Sequence, residues 1–153
     1  MKKILLIISM ILLSISAYSQ YVDLGLPSGT KWKAENESGR YDIIDALNYY
    51  YDNLPSVSQF QELIDNCTWI WKGDGYKVIG KNGNSIFLPA DGFRQSTGEL
   101  KRVGESGCYW SWEPYELKSD SNNYGCLAFD ISGKYIFYYR GTAQRSIRLV
   151  KSY

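Results

Sequence analysis

Any chemistry in this sequence has to come from carboxylates, thiols or aromatic rings, because histidine is absent. That excludes Ser-His-Asp and Cys-His nucleophile pairs, imidazole general bases and every His-ligated zinc or iron centre. Asp91, Glu105 and Asp130 are groups of the type that a two-carboxylate glycosidase uses, yet their spacing singles out no pair. Three cysteines leave one without a partner. Cys108 and Cys126 fall on strands expected to be neighbours, so a disulfide between them is the expectation. No bridge at all, or one through Cys67, are the alternatives, and Cys67 itself sits where a small buried thiol packs well.

The aromatic residues point toward binding rather than reaction. The chain carries 14 Tyr, 5 Trp and 5 Phe, and Tyr and Trp combine a large contact area with a polar handle. Trp112 and Tyr115 stand at the mouth of a polar segment that runs to Asn123, where rings serve as platforms for sugar faces or protein hot spots. Tyr139 and Arg140 lie at a strand end before the closing segment and form a second candidate group, with Arg145 nearby. Trp69 and Trp71 share one side of an extended stretch and read as core, as do Trp110 and Tyr138. No catalytic residue, metal site or cofactor is expected.

These side chains need a scaffold, and most of its signals are strands and turns. One helix is clear: Ser56 can cap, Gln59 can return the bond, and Val57, Phe60, Leu63, Ile64 and Cys67 recur at helical spacing. Asp42 to Tyr51 suits either a second helix or, through Tyr49-Tyr50-Tyr51, a strand. Tyr76–Gly80 and Ser85–Leu88 flank Asn82-Gly83 and form a hairpin. Tyr124–Ile131 and Tyr135–Tyr139 form another across Ser132-Gly133, and Tyr109–Trp112 and Ser146–Val150 add short strands.

The first 19 residues read Met-Lys-Lys, an apolar run from Ile4 to Ile15, and Ala17-Tyr18-Ser19, the pattern of a secretory signal peptide cleaved before Gln20. The run is shorter than the roughly 18 residues of a membrane span, and no second one follows. Cleavage removes two of the 17 basic residues, leaving 15 against 16 acidic ones, a net charge of −1. A nucleic-acid partner would call for a basic face, so none is expected. The expectation is a secreted chain, in the periplasm, at the cell surface or outside the cell, with residues 20–153 forming a single domain and no membrane span.

Three blocks then carry a likeness. Val22-Asp23-Leu24-Gly25-Leu26-Pro27-Ser28-Gly29-Thr30-Lys31-Trp32, Glu62-Leu63-Ile64-Asp65-Asn66-Cys67-Thr68-Trp69-Ile70-Trp71 and Gly83-Asn84-Ser85-Ile86-Phe87-Leu88-Pro89-Ala90, with Tyr109-Trp110-Ser111 and the closing Arg145–Val150, resemble the Fibrobacter succinogenes major paralogous domain family of secreted Bacteroidetes proteins. The likeness covers residues 22–33 and 54–150, and Arg40 to Asn53 does not reproduce the Tyr-Phe-Ala-Trp-Gly-Glu type block usual in that family. The resemblance implies a compact α+β fold similar to C-type lectin-like domains and to the formylglycine-generating enzyme group. Short antiparallel strands and hairpins would surround one or two helices, the first and last strands would pair, and loops beside the final strands would bind. Cys108 and Cys126 are 18 residues apart, unlike the close catalytic pair of those enzymes, so no such activity is carried over. Glu113-Pro114 is similar to the Glu-Pro-Asn calcium motif of C-type lectins, but Tyr115 replaces the Asn and no Trp-Asn-Asp partner follows. The function implied is a non-enzymatic module recognising a glycan or a protein surface, with a self-assembling surface protein as the alternative and a carboxylate hydrolase behind both.

Overall fold

A computed structural model describes residues 20–116 and 122–152. The leader at 1–19 and the middle of the polar segment, 117–121, lie outside the described residues. The fold is α+β, with small antiparallel sheets around two helices, α1 (Ile43–Tyr50) and α2 (Val57–Asn66). The Asp42–Tyr51 ambiguity resolves to a helix. Asp42 caps it by accepting from Asp45 N, and Ile43 and Ala46 are its buried residues. Helix α2 begins with the full reciprocal capping box of Ser56 and Gln59 and buries Phe60 and Leu63.

A central sheet organises the molecule. It consists of β8 (Ser106–Pro114), β9 (Asn123–Asp130) and β10 (Gly133–Arg140), in the order β10-β9-β8. The β9–β10 register pairs Gly133 with Asp130, so the turn residues are Ile131 and Ser132, one step earlier than Ser132-Gly133. Strand alternation divides this sheet into two apolar faces. Tyr109, Leu127 and Phe129 pack with Phe60 and Leu63 of α2 in one cluster, while Cys108, Trp110 and Cys126 pack with Ile43 and Ala46 of α1 in the other. Each helix covers one face.

Two further sheets extend the first cluster. In β3 (Thr68–Trp71), β4 (Gly75–Ile79) and β5 (Ser85–Pro89), the Asn82-Gly83 turn closes the expected β4–β5 hairpin, with Gly83 at φ 87°. Trp69 and Trp71 both meet Tyr76 edge-on, at 5.4 and 5.1 Å, which confirms them as packing residues. The short strands β6 (Phe93–Arg94) and β7 (Leu100–Lys101) form a separate ribbon.

The chain ends meet in the sheet β1 (Tyr21–Asp23), β2 (Lys31–Lys33) and β11 (Val150–Lys151), ordered β1-β2-β11. The first and last strands therefore share a sheet but do not pair with each other. The turn ending at Gly29 folds β2 back onto β1, and this leaves the far edge of β2 for β11. The expected strand at Ser146–Val150 shrinks to Val150–Lys151, preceded by single bridges at Arg145 and Ser146. Arg148 accounts for this. Its buried guanidinium donates to the carbonyls of Lys33, Ala34 and Phe87 and to Asn36 Oδ1, so a side chain does the joining that a ladder would do.

Candidate functional site

The site grows out of an irregularity in β8. Trp110 pairs with Cys126 and Pro114 with Tyr124, so β8 advances four residues while β9 advances two. The extra residues bulge out of the sheet, and Pro114, with no amide hydrogen, closes the irregular stretch. Ser111, Trp112 and Glu113 thereby reach the start of α2. Trp112 N donates to Pro55 O at 3.2 Å, and Glu113 Oε2 accepts from Val57 N at 2.5 Å. The amide of Val57 is one of the orphan donors of a helix start, so a carboxylate there is doubly favoured by hydrogen bonding and by the helix dipole. Gly125 of β9 permits the approach, since a Cβ there would stand 2.4 Å from Val57 Cγ2.

Between α2 and the ends of β8 and β10 this leaves an open groove of about 870 Å³. Trp112 and Tyr138 supply its rings, Ile136 and Val57 its apolar floor, and Gln61 and Asp65 its polar wall on the helix. Trp112 also borders a second depression, of about 740 Å³, beside Asn53 and Gln59, and meets Tyr51 edge-on at 6.0 Å. It is a ridge between two hollows. Tyr115 is 48 % exposed and packs its edge against Tyr138 with centroids 4.8 Å apart, extending the aromatic surface outward.

The candidate residues separate into two places. Trp112 lines the groove, and Tyr115 lies outside its lining, packed on Tyr138. Asn123 and Arg140 form the last register pair of β9 and β10, and Asn123 O accepts from Tyr115 N at 2.8 Å, so Asn123 secures the base of the loop through its backbone. Arg140 is exposed and shares the strand face of Tyr138. Tyr139 points to the opposite face, where its ring lies 4.2 Å from the Arg145 guanidinium carbon and burial pushes its hydroxyl up to about 12. The assignments of the two tyrosines therefore exchange. Tyr138, read as packing, lines the groove, and Tyr139 does not.

The remaining candidates are engaged elsewhere. Glu113, the carboxylate of the calcium-like dipeptide, caps α2, and no cluster of three His, Cys, Asp or Glu able to hold a metal occurs among the described residues. Asp91 accepts from Asn36, and Asp130 is held below the usual carboxylate range first by Ser132, with Arg102 assisting. Glu105 lies 3.6 Å from Arg102. None of these three acids lines the groove. Cys108 and Cys126 are neighbours, as expected, but remain thiols. The register explains why: Cys108 faces Ala128 and Cys126 faces Trp110, a diagonal relation. Diagonal β-carbons stand roughly 7 Å apart, whereas a disulfide holds them at about 4 Å.

Compared with known proteins, the chain matches no family model, no curated protein and no solved structure. Among the described residues no helix is long and apolar enough to cross a membrane.

Proposed function

We propose that the chain is an exported, non-enzymatic binding module that holds a glycan or a protein surface on the groove between α2 and the ends of β8 and β10. The observation that carries this reading is the pairing of rings at Trp112 and Tyr138 with polar side chains on the same wall, where Gln61 and Asp65 hydrogen-bond each other at 2.8 Å, in an open cleft of the size that small ligands occupy. Aromatic rings offer stacking area to sugar faces and anchoring area to proteins, and the helix edge supplies amide and carboxylate acceptors for hydroxyl or ammonium groups. The resemblance to the Fibrobacter succinogenes major paralogous domain family supports the same reading.

A glycan and protein array probed with the purified chain tests it. Once a hit is found, Trp112→Ala and Tyr115→Ala should each weaken binding by roughly 1 to 3 kcal/mol at nearly unchanged melting temperature. Trp110→Ala should unfold the chain instead. Trp110 is fully buried, its Nε1 donates to Tyr41 O at 2.8 Å, and removing a buried Trp costs roughly 3 to 5 kcal/mol. An array with no hit, or loop variants that bind as the parent does, defeats the proposal.

A self-assembling surface protein is supported by a different observation. Strand β10 is an eight-residue edge of the central sheet, and Tyr135 and Phe137 on it are 48 % and 50 % exposed. Long apolar edges template strand pairing. Light scattering across a concentration series, with Phe137→Lys as the disrupting variant, separates this reading from the first.

A further inference from the structure

Arg145 presents a problem of charge. It is 6 % exposed, its Nε has no hydrogen-bond partner, and none of the ion pairs among the described residues includes it. Its guanidinium carbon lies 4.2, 5.1 and 5.2 Å from the ring centres of Tyr139, Trp110 and Phe93. Ring faces attract a cation but do not neutralise it. An arginine does not lose its proton in a protein, and an uncompensated buried charge is costly, so an adjacent acid must carry the counter-charge.

The acids that line a cavity with Arg145 are the thiol of Cys108 and the carboxylate of Asp130. Cys108 lies with Arg145 in a small cavity of about 80 Å³, and Cys126 hydrogen-bonds to Cys108 across the diagonal of β8 and β9. Burial by itself raises the Cys108 thiol, but the Cys126 hydrogen bond and the Arg145 charge outweigh it and bring the thiol below its ordinary value. Cys126 moves the other way, raised by burial and by its neighbour, and so keeps its proton, with Tyr124 O as an acceptor at 3.8 Å. The other titratable groups lining the cavity are Tyr135 and Tyr139 from β10, and Arg102 and Asp130, 3.9 Å apart. Arg102 and Asp130 face each other, so the Asp130 charge is offset by Arg102 as well as hydrogen-bonded by Ser132.

We propose that Cys108 is a nucleophilic thiolate, paired with Arg145 and steadied by Cys126, that reduces small hydroperoxides entering this cavity. The cavity has room for a molecule the size of hydrogen peroxide and is too small for a peptide thiol. Cys108 Sγ attacks one peroxide oxygen, forming an S–O bond as the O–O bond breaks. The bonding pair leaves with the second oxygen, whose developing negative charge faces the Arg145 guanidinium and is quenched by a proton from water. Cys108 is oxidised by two electrons to the sulfenic acid, and the hydroperoxide is reduced to the alcohol, or to water for hydrogen peroxide. This activity lies on the opposite sheet face from the groove and stands independently of it.

The test uses the purified chain with one equivalent of hydrogen peroxide at pH 6 and dimedone as the sulfenic acid trap, followed by peptide mass mapping. The adduct should appear on Cys108 and not on Cys67, whose thiol burial pushes up to about 11. Cys108→Ser should abolish the adduct and the excess thiolate absorbance at 240 nm between pH 6 and 8. The rate of Cys108 alkylation by iodoacetamide should change less than about twofold across that range, where an ordinary thiol gains roughly 80-fold. Arg145→Met should restore the steep ordinary pH profile and Arg145→Lys should keep much of the flat one. If Arg145→Met does not fold, the absorbance and alkylation profiles of the parent decide alone. An ordinary profile in the parent, absence of the Cys108 adduct, or a Cys108–Cys126 bridge in the protein as purified overturns the proposal.

Discussion

Replacing Arg148 with methionine tests the claim that a side chain, rather than a strand ladder, fastens the end of the chain. Arg148 is 1 % exposed and its guanidinium serves four acceptors: Lys33 O at 2.9 Å, Ala34 O at 2.8 Å, Phe87 O, and Asn36 Oδ1 at 2.7 Å. Asn36 in turn donates to Asp91 at 3.1 Å and to Tyr109 Oη at 3.0 Å, so the network joins β2, β5, β8 and the closing segment. Hydrogen bonds to a charged group contribute roughly 1.5 to 3 kcal/mol each, or about 6 to 12 kcal/mol for four. Methionine spares the chain several kcal/mol of guanidinium desolvation. The expected net loss is about 3 to 5 kcal/mol, a large part of the roughly 5 to 15 kcal/mol by which a domain is stable.

Urea unfolding followed by tryptophan fluorescence measures that loss, with an unchanged m-value as the check that the folded and unfolded states kept their extents. Arg148→Lys should recover less than half of it, because one ammonium cannot span four acceptors arranged around a planar fork. Arg140→Met on the exposed end of β10 is the control and should stay within about 0.5 kcal/mol of the parent. If Arg148→Met costs under about 1 kcal/mol, or lysine replaces arginine without loss, the network does not fasten the chain and the reasoning fails.

Alkaline pH should unfold the protein cooperatively. Hydrogen bonding to Tyr41 and then burial raise Tyr50 to about 12, and burial raises Tyr139 to about 12, from an ordinary 10. The fold favours the neutral hydroxyls, so this stability is intact below pH 10. It is lost between pH 10 and about 12, as the unfolded chain sheds protons that the folded one retains. Far-ultraviolet dichroism should fall in step with absorbance at 295 nm, and complete tyrosine ionisation near pH 10 with unchanged dichroism would contradict this. Ser56→Ala should cost about 1 kcal/mol, since Gln59 N loses its acceptor while Val57 N keeps Glu113. A thermal melt indistinguishable from the parent would show that the box is dispensable.

What the sequence reveals and what it hides follow from the range of the interactions involved. Helix α2 and the Asn82-Gly83 hairpin are legible because their signals act within four residues: a cap and its returning side chain, or a turn dipeptide with the needed φ. Helix α1 is ambiguous because Tyr49, Tyr50 and Tyr51 favour strands locally. The decision comes from burial of Ile43 and Ala46 and from the edge-on contact of Tyr50 with Tyr41, 5.4 Å between centroids. Trp112 and Tyr115 are legible as residues at the mouth of the polar segment because Pro114 ends the regular ladder beside them. Tyr138 and Tyr139 are exchanged because their facing depends on the β9–β10 register, where a step of one residue inverts every side chain. The cysteines show the same limit: which strands they occupy is readable, but the diagonal offset that keeps them as thiols is not.

That register also separates the two chemistries assigned to this molecule. Along β10, Ile136 and Tyr138 face α2 and the groove, whereas Tyr135 and Tyr139 face the cavity of Cys108 and Arg145. Along β8, the regular stretch through Trp110 seals the thiol side, and the irregular stretch beyond it opens the groove. The proposed ligand capture and the proposed thiol reactivity would thus share strands but no side chain that lines both hollows. What the two do share is the anchoring of β8 and the closing segment by Trp110 and Arg148. A substitution in that anchor should damage both properties together through stability, whereas a substitution on either face should damage one alone. The division follows from a sheet with a helix on each side: alternate residues of one strand are neighbours in sequence, yet they solvate different sites.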